Sequence, residues 1–416
     1  MDRPRVVITG LGTINALGNT VEDYWQGLIN GKSGIRRITH FDASDFPCQI
    51  AAEVRGFEPL DYLDRKTARR IPRSVQFAVA AARQGVNDAG LSDPLENPER
   101  CGVVIGTGIA GVENILAADD VLKTKGYKRM NPYQVPSGIP NIPAFQIAKE
   151  LHCLGPNNTT PTACAAGTQA VGEGAEYIRR GVADVVISGG TEAIVVELVL
   201  GAFSVMRALP VNYNERPQAA SRPFNADREG FVLAEGAAVL VLENLEHALA
   251  RDAQIYAEVV GHSSSSDAYD IAAMRPDGAG PGRAMHWALL DAGIRPEDVD
   301  YINAHGTSTI INDKVETLAI KKVFGAYAYK VPVSSTKSMI GHAMGASGAL
   351  EAIACALAIK HGMIPPTINY ENPDPECDLY YVPNEAEERQ IEITLSNSFG
   401  LGGQNACLVL KKFLHG

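Results

Sequence analysis

The chain has 416 residues, of which 45% are hydrophobic and 20% charged, a composition typical of a globular protein with two or three structural units. Its 37 basic and 48 acidic residues leave a net charge of -11, which argues against a nucleic-acid partner spread over the whole surface. No apolar stretch approaches the ~20 residues that a membrane-spanning helix needs, so we expect no membrane insertion.

Seven cysteines are scattered along the chain without a C-x-x-C pair or a zinc-type Cys/His spacing, which argues against a disulfide framework and against a structural zinc site. A strand-like run begins at Val6, where a signal peptide would need a longer apolar segment and a cleavage site. We therefore expect a reducing, cytoplasmic compartment.

Short β-branched runs alternate with helix-favouring stretches along the chain, which predicts an α/β fold. Many of these runs lack period-two alternation, as expected for strands that helices cover on both faces. The sequence therefore predicts a layered α/β/α interior. The runs span 6–9, 103–105, 184–188, 239–242, 301–303 and 407–410.

Two pairs of segments indicate an internal duplication. The glycine-bounded stretch 167–181 matches 348–362 at an offset of 181 residues, and the Asp-Ala-Gly run at 88–90 matches 291–293 at an offset of 203. The difference of 22 residues between these offsets predicts extra chain in the first half. The segment 126–143, rich in Pro, Gly and Asn, is where we expect this inserted loop.

Cys164 is a candidate nucleophile. It lies in T-A-C-A-A-G, directly ahead of a helix-favouring run that ends near Arg180. Unpaired backbone N–H groups and the helix dipole favour a thiolate at such a position, so we expect a lowered pKa. A buried, unreactive side chain is the commoner role of cysteine, and it is our interpretation of the other six.

Two histidines are candidate partners of this cysteine. His305 lies in N-A-H-G-T-S-T directly after a strand-like run, and strand ends are where α/β folds form their sites. His342 lies three residues before Gly345, which the offset of 181 makes the counterpart of Cys164. If the halves pack about an approximate two-fold axis, Cys164 and His342 converge. A hydrogen-bonded structural ring is the alternative for each histidine.

The glycine-rich loop 396–405 is a further candidate, because it would let the backbone approach a substrate closely. One of its N–H groups, with that of Cys164, could form an oxyanion hole, and a plain turn is the alternative. The other glycine-rich run, 10–15, has Asn15 where a dinucleotide fingerprint needs its third glycine, so we reject a Rossmann nucleotide site.

Four ordered motifs resemble those of the condensing enzymes of the thiolase superfamily, most closely the β-ketoacyl-[acyl carrier protein] synthase II enzymes of bacterial type II fatty acid synthesis. The motifs are T-A-C-A-A-G at Cys164, H-G-T-S-T at 305–309, S-S-T-K-S-x-x-G-H at 334–342 and N-S-F-G-x-G-G at 397–403. The resemblance covers essentially the whole chain. It implies a homodimer and a five-layered αβαβα core of two thiolase-like halves, which we place at 1–255 and 256–416.

The resemblance implies decarboxylative condensation of malonyl-[acyl carrier protein] with an enzyme-bound acyl thioester, which requires no metal and no other cofactor. Cys164 would be the acylated nucleophile. His305 and His342 would drive decarboxylation and stabilise the enolate. Lys337 and Glu351 would fix and tune these histidines.

Further positions take roles from the same resemblance. The N–H groups of Cys164 and Phe399 would form the oxyanion hole, and the Phe399 ring would act as a gate. In the loop after it, Leu401 replaces the usual Phe and Gln404 the usual Thr or His, which bears on loop mobility and acyl-chain preference. The expected substrate contacts are Thr307 and Thr309 for the phosphopantetheine arm, Ile109 and Phe203 for the acyl chain, and Gly400.

A cluster of basic residues is a candidate dock for acidic acyl carrier protein. Five of them, at spacings of three and four in a predicted helical region, would share one face, although such a charge run is usually just a solvated helix face. These are Arg65, Lys66, Arg69, Arg70 and Arg73. The resemblance adds three residues near the tunnel mouth, which are Lys128, Arg129 and Arg207.

Three other functions were weighed. A non-decarboxylating thiolase needs a second cysteine in a C-x-G setting, whereas Cys407 is followed by Leu408 and Val409. A ketosynthase of a polyketide pathway shares the same Cys-His-His set and remains open. A non-catalytic chain-length factor has lost the nucleophile, so the presence of Cys164 argues against it.

Overall fold

The structure, a computed structural model, describes residues 3–414, and its elements alternate between strands and helices. The strands are β1 (Val6–Ile14), β2 (Arg36–Arg37), β3 (Ile50–Ala51), β4 (Cys101–Gly106), β5 (Asn157–Thr160), β6 (Val185–Ala193), β7 (Glu235–Asn244), β8 (Ala257–Ser266), β9 (Tyr301–Asn303), β10 (Val333–Ser334), β11 (Met363–Ile364), β12 (Glu387–Glu388), β13 (Ile393–Gly400) and β14 (Gln404–Lys411). The α-helices are α1 (Val21–Ile29), α2 (Arg65–Ala68), α3 (Arg73–Asp88), α4 (Val112–Lys125), α5 (Gln134–Ser137), α6 (Ile142–Leu151), α7 (Ala166–Arg179), α8 (Glu197–Val205), α9 (Leu245–Ala250), α10 (Ala279–Ala292), α11 (Ile310–Phe324), α12 (Lys337–Ile340) and α13 (Ser347–His361).

Two five-stranded sheets with the same topology form the framework. The strand order is β5-β4-β6-β7-β1 in one and β10-β9-β13-β14-β8 in the other, and the short pairing of β1 with β8 joins them. In each sheet the first three strands and the fifth run in one direction, and the fourth runs antiparallel to both of its neighbours. The identical order and direction confirm the duplication that the sequence predicts.

Helices separate and cover the sheets, which gives the five layers. α7 and α13 pack on each other between the sheets, where α13 is buried on nearly all sides, as an apolar central helix must be. α3 and α6 cover the outer face of the first sheet, and α10 and α11 cover that of the second. The predicted thiolase-like αβαβα architecture is therefore confirmed.

The predicted offsets reappear in local backbone geometry. α7 and α13 begin 181 residues apart, and each follows a 3-10 turn, at 163–165 and at 344–346. Both turns open on a residue with a left-handed backbone, with φ of 48° at Ala163 and 42° at Met344. At the offset of 203, Gly90 and Gly293 follow the ends of α3 and α10 with φ of 65° each. Glycine suits both positions because it adopts positive φ without strain.

All six predicted runs lie within or overlap observed strands. A further strand-like run, 391–395, overlaps β13. Sequence patterning missed β10, which has only two residues, and also β5 and β8, whose sequences N-N-T-T and A-E-V-V-G-H-S-S-S-S are largely polar. The connection from β4 to β5 carries α4, α5 and α6, whereas α11 is the α-helix between β9 and β10. Among the described residues, no helix combines the length and apolar character needed to cross a bilayer.

Candidate active site

Cys164, His305 and His342 lie together where the two halves meet. The cysteine sulfur and one ring nitrogen of each histidine all lie within 4.8 Å of one another. The three side chains are nearly inaccessible, at 4%, 2% and 3% exposure. The structure thus brings together the three residues that the sequence singled out from separate motifs.

The turn 163–165 holds Cys164 immediately before α7. The thiol lies 3.7 Å from the sulfur of Met344, a residue of the counterpart turn. The counterpart of Cys164 itself is Gly345, and a Cβ built there would lie only 2.5 Å from the Cα of Thr107. Packing therefore requires glycine in one half and leaves room for a nucleophile in the other.

His305 is held by its backbone and by a buried ion pair. Its N–H donates to one carboxylate oxygen of Glu316 and the N–H of Gly306 donates to the other, both at 2.8 Å. The ammonium of Lys337, which is paired with Glu351, lies 3.4 Å from Nδ1 of His305. With the ammonium donating to Nδ1, the proton of the neutral ring is on Nε2.

His342, like His305, has a hydrogen-bond partner at Nδ1 and leaves Nε2 for a substrate. Its Nδ1 lies 2.8 Å from the hydroxyl of Ser347, while its buried Nε2 has no partner among the described residues. The ring contacts Phe231 edge-on at 5.5 Å and His305 at 5.4 Å between centroids. When Ser347 donates to Nδ1, Nε2 carries the proton and is free to donate to a bound oxygen.

Electrostatics keeps both rings neutral. Burial lowers the pKa of His305 and of His342 well below the usual range, and the positive charge of Lys337 lowers both further. Burial has the opposite effect on the carboxyl of Glu351, raising its pKa to about 7 although Lys337 opposes the rise. Two neutral rings and one nearby ammonium can stabilise negative charge that develops on a bound substrate.

The expected lowering of the Cys164 pKa is wrong. Burial raises the pKa of this thiol to about 11, against the opposing effects of the Leu401 N–H, the Lys337 charge and the residue's own N–H. The removal of a thiolate from water therefore outweighs the stabilisation at the helix start. The thiol is protonated at rest, so its proton must move when the sulfur attacks.

The loop after β13 offers a second backbone donor to the sulfur. Phe399 lies within β13, paired with Asn405 of β14, and its ring contacts that of His305 at 5.6 Å. The backbone N–H groups that stabilise the thiolate are those of Leu401 and of Cys164 itself. The Leu401 N–H therefore joins that of Cys164 at the sulfur, while the expected oxyanion-hole role of the Phe399 N–H stays a prediction.

A cavity of about 480 Å³ contains the three central side chains. Several predicted substrate contacts line it, namely Thr307, Thr309, Phe203 and Gly400, together with Arg207 from the docking set. The hydroxyls of Thr307 and Thr309 lie 3.0 Å apart. Ile109 is not among the lining residues of the single chain; it is partly buried in the loop after β4. Sequence reasoning missed Phe231, Met344 and Glu229, which carry no motif of their own.

The basic cluster is only partly as expected. The docking set is exposed, namely Lys66, Arg69, Arg70, Lys128, Arg129 and Arg207. The single helical face is wrong, because α2 ends at Ala68 and Pro72 precedes α3. Arg73 opens α3 and forms a bidentate pair with buried Glu235 at 2.8 and 3.0 Å. The guanidinium of Arg70 lies over the Tyr133 ring at 4.7 Å.

Comparison with solved structures shows the same architecture over the whole chain. The ishigamide ketosynthase/chain length factor matches with a TM-score of 0.93 and 40% identity, covering 99% of this chain and 100% of that one. A type II PKS ketosynthase, AntDE, in complex with the acyl-carrier protein AntF matches with a TM-score of 0.91 and 36% identity, at the same coverage.

Sequence comparison gives full-length relatives. Two proteins named 3-oxoacyl-[acyl-carrier-protein] synthase 2, from Synechocystis sp. and Coxiella burnetii, are each 50% identical to the chain over 99% of both sequences. The models of the beta-ketoacyl synthase N-terminal and C-terminal domains match residues 3–248 and 256–371. The chain therefore belongs to the beta-ketoacyl synthase family.

Proposed function

We propose that the chain is a 3-oxoacyl-[acyl carrier protein] synthase that elongates fatty acids by decarboxylative Claisen condensation. The observation that carries this proposal is the meeting of a buried cysteine and two neutral histidines in one cavity. The full-length relatives at 50% identity support the same activity. The reaction converts malonyl-[acyl carrier protein] and an acyl thioester into 3-oxoacyl-[acyl carrier protein], free carrier and CO2.

The first step transfers the acyl group to Cys164. At this step the Ser347 hydroxyl accepts from Nδ1 of His342, so the unprotonated Nε2 takes the proton of the thiol as the sulfur attacks the carbonyl of the acyl-carrier thioester. We propose that the N–H groups of Cys164 and Leu401, both of which lower the pKa of the thiol, also stabilise the resulting oxyanion. The carrier thiolate then leaves, takes up the proton, and leaves an acyl thioester on Cys164.

The second step forms the carbon nucleophile. With the malonyl thioester in the cavity, its carbonyl oxygen accepts hydrogen bonds from Nε2 of His305 and of His342. The bond between the carboxylate and the methylene carbon breaks, CO2 leaves, and the electron pair forms an enolate on the thioester. Neutral rings suit this step because each offers an N–H donor, and Lys337 adds a fixed positive charge behind His305.

The third step forms the new carbon–carbon bond. The enolate carbon attacks the acyl carbonyl on Cys164, and the same two backbone N–H groups hold the tetrahedral oxyanion. The bond between carbon and sulfur breaks, the 3-oxoacyl product stays on the second carrier, and the sulfur takes up a proton from solvent, which balances the negative charge that the malonyl carboxylate brought in. Closure of the cycle therefore restores a thiol and two neutral histidines.

Acyl carrier protein is the proposed partner. The AntDE ketosynthase was solved with its acyl-carrier protein, and this chain carries exposed basic residues that include Arg207 at the cavity. An acidic partner is attracted to such a patch. We also propose a homodimer, with halves at 1–255 and 256–416, in which Ile109 contributes to the acyl pocket of the partner subunit.

A ketosynthase of a polyketide pathway is the second candidate, favoured by the 36%-identical type II PKS ketosynthase structure. Fatty acid elongation has stronger support, since the 3-oxoacyl-[acyl-carrier-protein] synthase 2 relatives reach 50% identity over the full length.

Incubation of the pure protein with malonyl-carrier and a ladder of acyl-carriers, followed by mass analysis, tests the proposal. One round of extension to a 3-oxoacyl-carrier supports it. Repeated extension to a poly-β-keto chain on the carrier would favour the polyketide pathway, and no carbon–carbon bond formation would overturn both.

A further inference from the structure

Glu192, near the end of β6, is a fully buried carboxylate that the proposed mechanism does not use. Both of its oxygens accept hydrogen bonds, and all five partners are donors. These are the N–H groups of Gly108 at 2.6 Å, Gly345 at 3.0 Å, Ile109 at 3.1 Å and Ala110 at 3.1 Å, and the hydroxyl of Thr107 at 3.2 Å. Burial raises the pKa of this carboxyl, and the hydrogen-bond donors around it oppose the rise. An ionised carboxylate suits this shell, since a protonated one would direct its O–H at other donors.

The duplication gives this residue a counterpart in the second half. Gly190 of β6 packs against both the turn 344–346 and α7, since an added Cβ would lie 2.2 Å from the O of Gly345 and 3.2 Å from the Cα of Gly167. Ser398 of β13 packs in the same way against α13, where an added Cβ of Gly348 would lie 3.0 Å from the serine hydroxyl. Strand pairing agrees, because Gly190 faces Ala238 of β7 as Ser398 faces an alanine of β14.

Two residues further along these strands lie Glu192 and Gly400. Gly400 approaches the turn of Cys164, since an added Cβ would lie 3.3 Å from the N of Ala165. Because Gly400 has no side chain, no group equivalent to the Glu192 carboxylate lies beside the turn of Cys164. In the other half, the Glu192 carboxylate accepts a hydrogen bond from the N–H of Gly345, the counterpart of Cys164.

We propose that Glu192 is a positioning residue, an internal anion that fills the inactive copy of the oxyanion hole and thereby fixes the turn whose Met344 contacts Cys164. This inference rests on the proposed function, because it concerns the same nucleophile. The carboxylate ties three segments together, namely the end of β6, the loop 107–110 and the turn 344–346. The first two belong to one half and the third to the other.

The charge of Glu192 also acts on the nucleophile. It raises the pKa of the Cys164 thiol, whereas the charge of Lys337 on α12 lowers it. The other titratable groups that face the sulfur are His305 after β9 and His342 before the turn 344–346. Glu192 therefore adds to the larger effect of burial in keeping the resting thiol protonated.

Glu192→Gln tests this inference, with Glu53→Gln as the matched control. Glu53 is 2% exposed and also accepts backbone N–H groups, those of Thr39 and His40, but is not among the groups that shift Cys164. The readout is the rate of Cys164 alkylation by iodoacetamide against pH, followed by mass analysis of its peptide. Glu192→Gln should lower the pH midpoint by about one unit relative to wild type, while Glu53→Gln should leave it unchanged.

A positional effect should accompany the shift. In Glu192→Gln, the amide NH2 replaces an oxygen that accepts from at least two donors, so N–H groups face N–H groups there. The turn 344–346 should therefore move, and condensation kcat/KM should fall by roughly tenfold or more. If the midpoint in Glu192→Gln shifts no more than in Glu53→Gln, the inference is overturned.

A milder pair of variants covers the case in which Glu192→Gln does not fold. Thr107→Val removes a hydroxyl donor from Glu192, and Thr39→Val removes one from Glu53. With less screening of the Glu192 charge, the midpoint should rise in Thr107→Val and stay unchanged in Thr39→Val; equal midpoints would overturn the inference. Alkylation needs no carrier, so failure of the proposed function would appear separately, as wild-type protein that forms no 3-oxoacyl product.

Discussion

The turns at 163–165 and 344–346 share a backbone and differ in chemistry. Both are 3-10 turns that open on a left-handed residue and lead into a central helix. One carries Cys164 and faces a strand end without a side chain, Gly400, whereas the other carries Gly345 and faces the carboxylate of Glu192. The duplicated scaffold thus provides two equivalent sites, and side chains determine which of them can catalyse.

The difference shows how an asymmetric site arises on a symmetric frame. At Gly345 the loop after β4 comes within contact distance, so no side chain fits, and Glu192 satisfies the N–H groups that point inwards. At Cys164 the same space is a cavity shared with His305 and His342. An N–H group that is satisfied internally in one half is available to a substrate in the other.

Cys164→Gln should have the largest effect, because it removes the nucleophile that distinguishes the two turns. Condensation should fall to background, since no acyl group can be held on sulfur. The neutral amide would leave His305 and His342 able to stabilise the enolate, so CO2 release from malonyl-carrier should persist or rise. Radiolabelled CO2 release beside product analysis checks this, and absence of CO2 release from a folded variant would contradict it.

Removal of either histidine should have the converse effect. In His305→Ala or His342→Ala, decarboxylation should fall by about 10²- to 10³-fold, the loss expected for one oxyanion donor. Some acylation of Cys164 should remain, and mass analysis of its peptide would detect it. Decarboxylation at the wild-type rate in either variant would show that the roles are assigned wrongly.

Gly345→Ala tests the packing side of the comparison. An added Cβ would lie 2.5 Å from the Cα of Thr107 and 2.6 Å from the N of Gly108, so the loop must shift. Overpacking of this kind should lower the free energy of unfolding by about 1–3 kcal/mol. Urea unfolding measures the change, and the counterpart variant Cys164→Ala, which inserts no atoms, is the control. Equal stability of Gly345→Ala and wild type would contradict the packing argument.

Charge reversal of Lys66, Arg69 and Arg70 should have the smallest effect. These side chains are exposed, and their proposed role is to dock the carrier rather than to act at either turn. KM for carrier-bound substrates should rise several-fold and the rise should shrink with added salt, because screening weakens association between charged surfaces. Small thioester substrates should react as before. Equal losses with both kinds of substrate would contradict docking at this patch.

The sequence was sufficient for the framework of the site and for its three central residues. The offset of 181 predicts that His342 approaches Cys164. If α7 and α13 are equivalent helices, the turns that precede them are also equivalent and lie close together. Pro72 interrupts the predicted basic face, because proline disfavours helical backbone at the residue before it. β5 and β8 were missed because polar sequences can pair in a sheet through backbone groups alone.

Features that depend on burial could not be predicted from the sequence. The pKa of Cys164 is set by removal from water more than by its place before a helix, and spacing carries no measure of that removal. Glu192 and Glu316 lie in no motif. Each accepts hydrogen bonds from the N–H groups of a loop that is distant in sequence or lies after another strand, and only the folded sheets bring the carboxylate and the loop together. The position of the Leu401 N–H beside the sulfur likewise depends on the end of β13 at Gly400.

The most direct test is a pulse and chase on Cys164. The enzyme is incubated with acyl-carrier alone, the acylated peptide is identified by mass, and malonyl-carrier is then added. We predict one acyl group per chain, on Cys164, which disappears on the chase with equimolar formation of 3-oxoacyl-carrier and CO2. Product formation without acylation of Cys164, or an acyl group that malonyl-carrier does not discharge, would contradict the account.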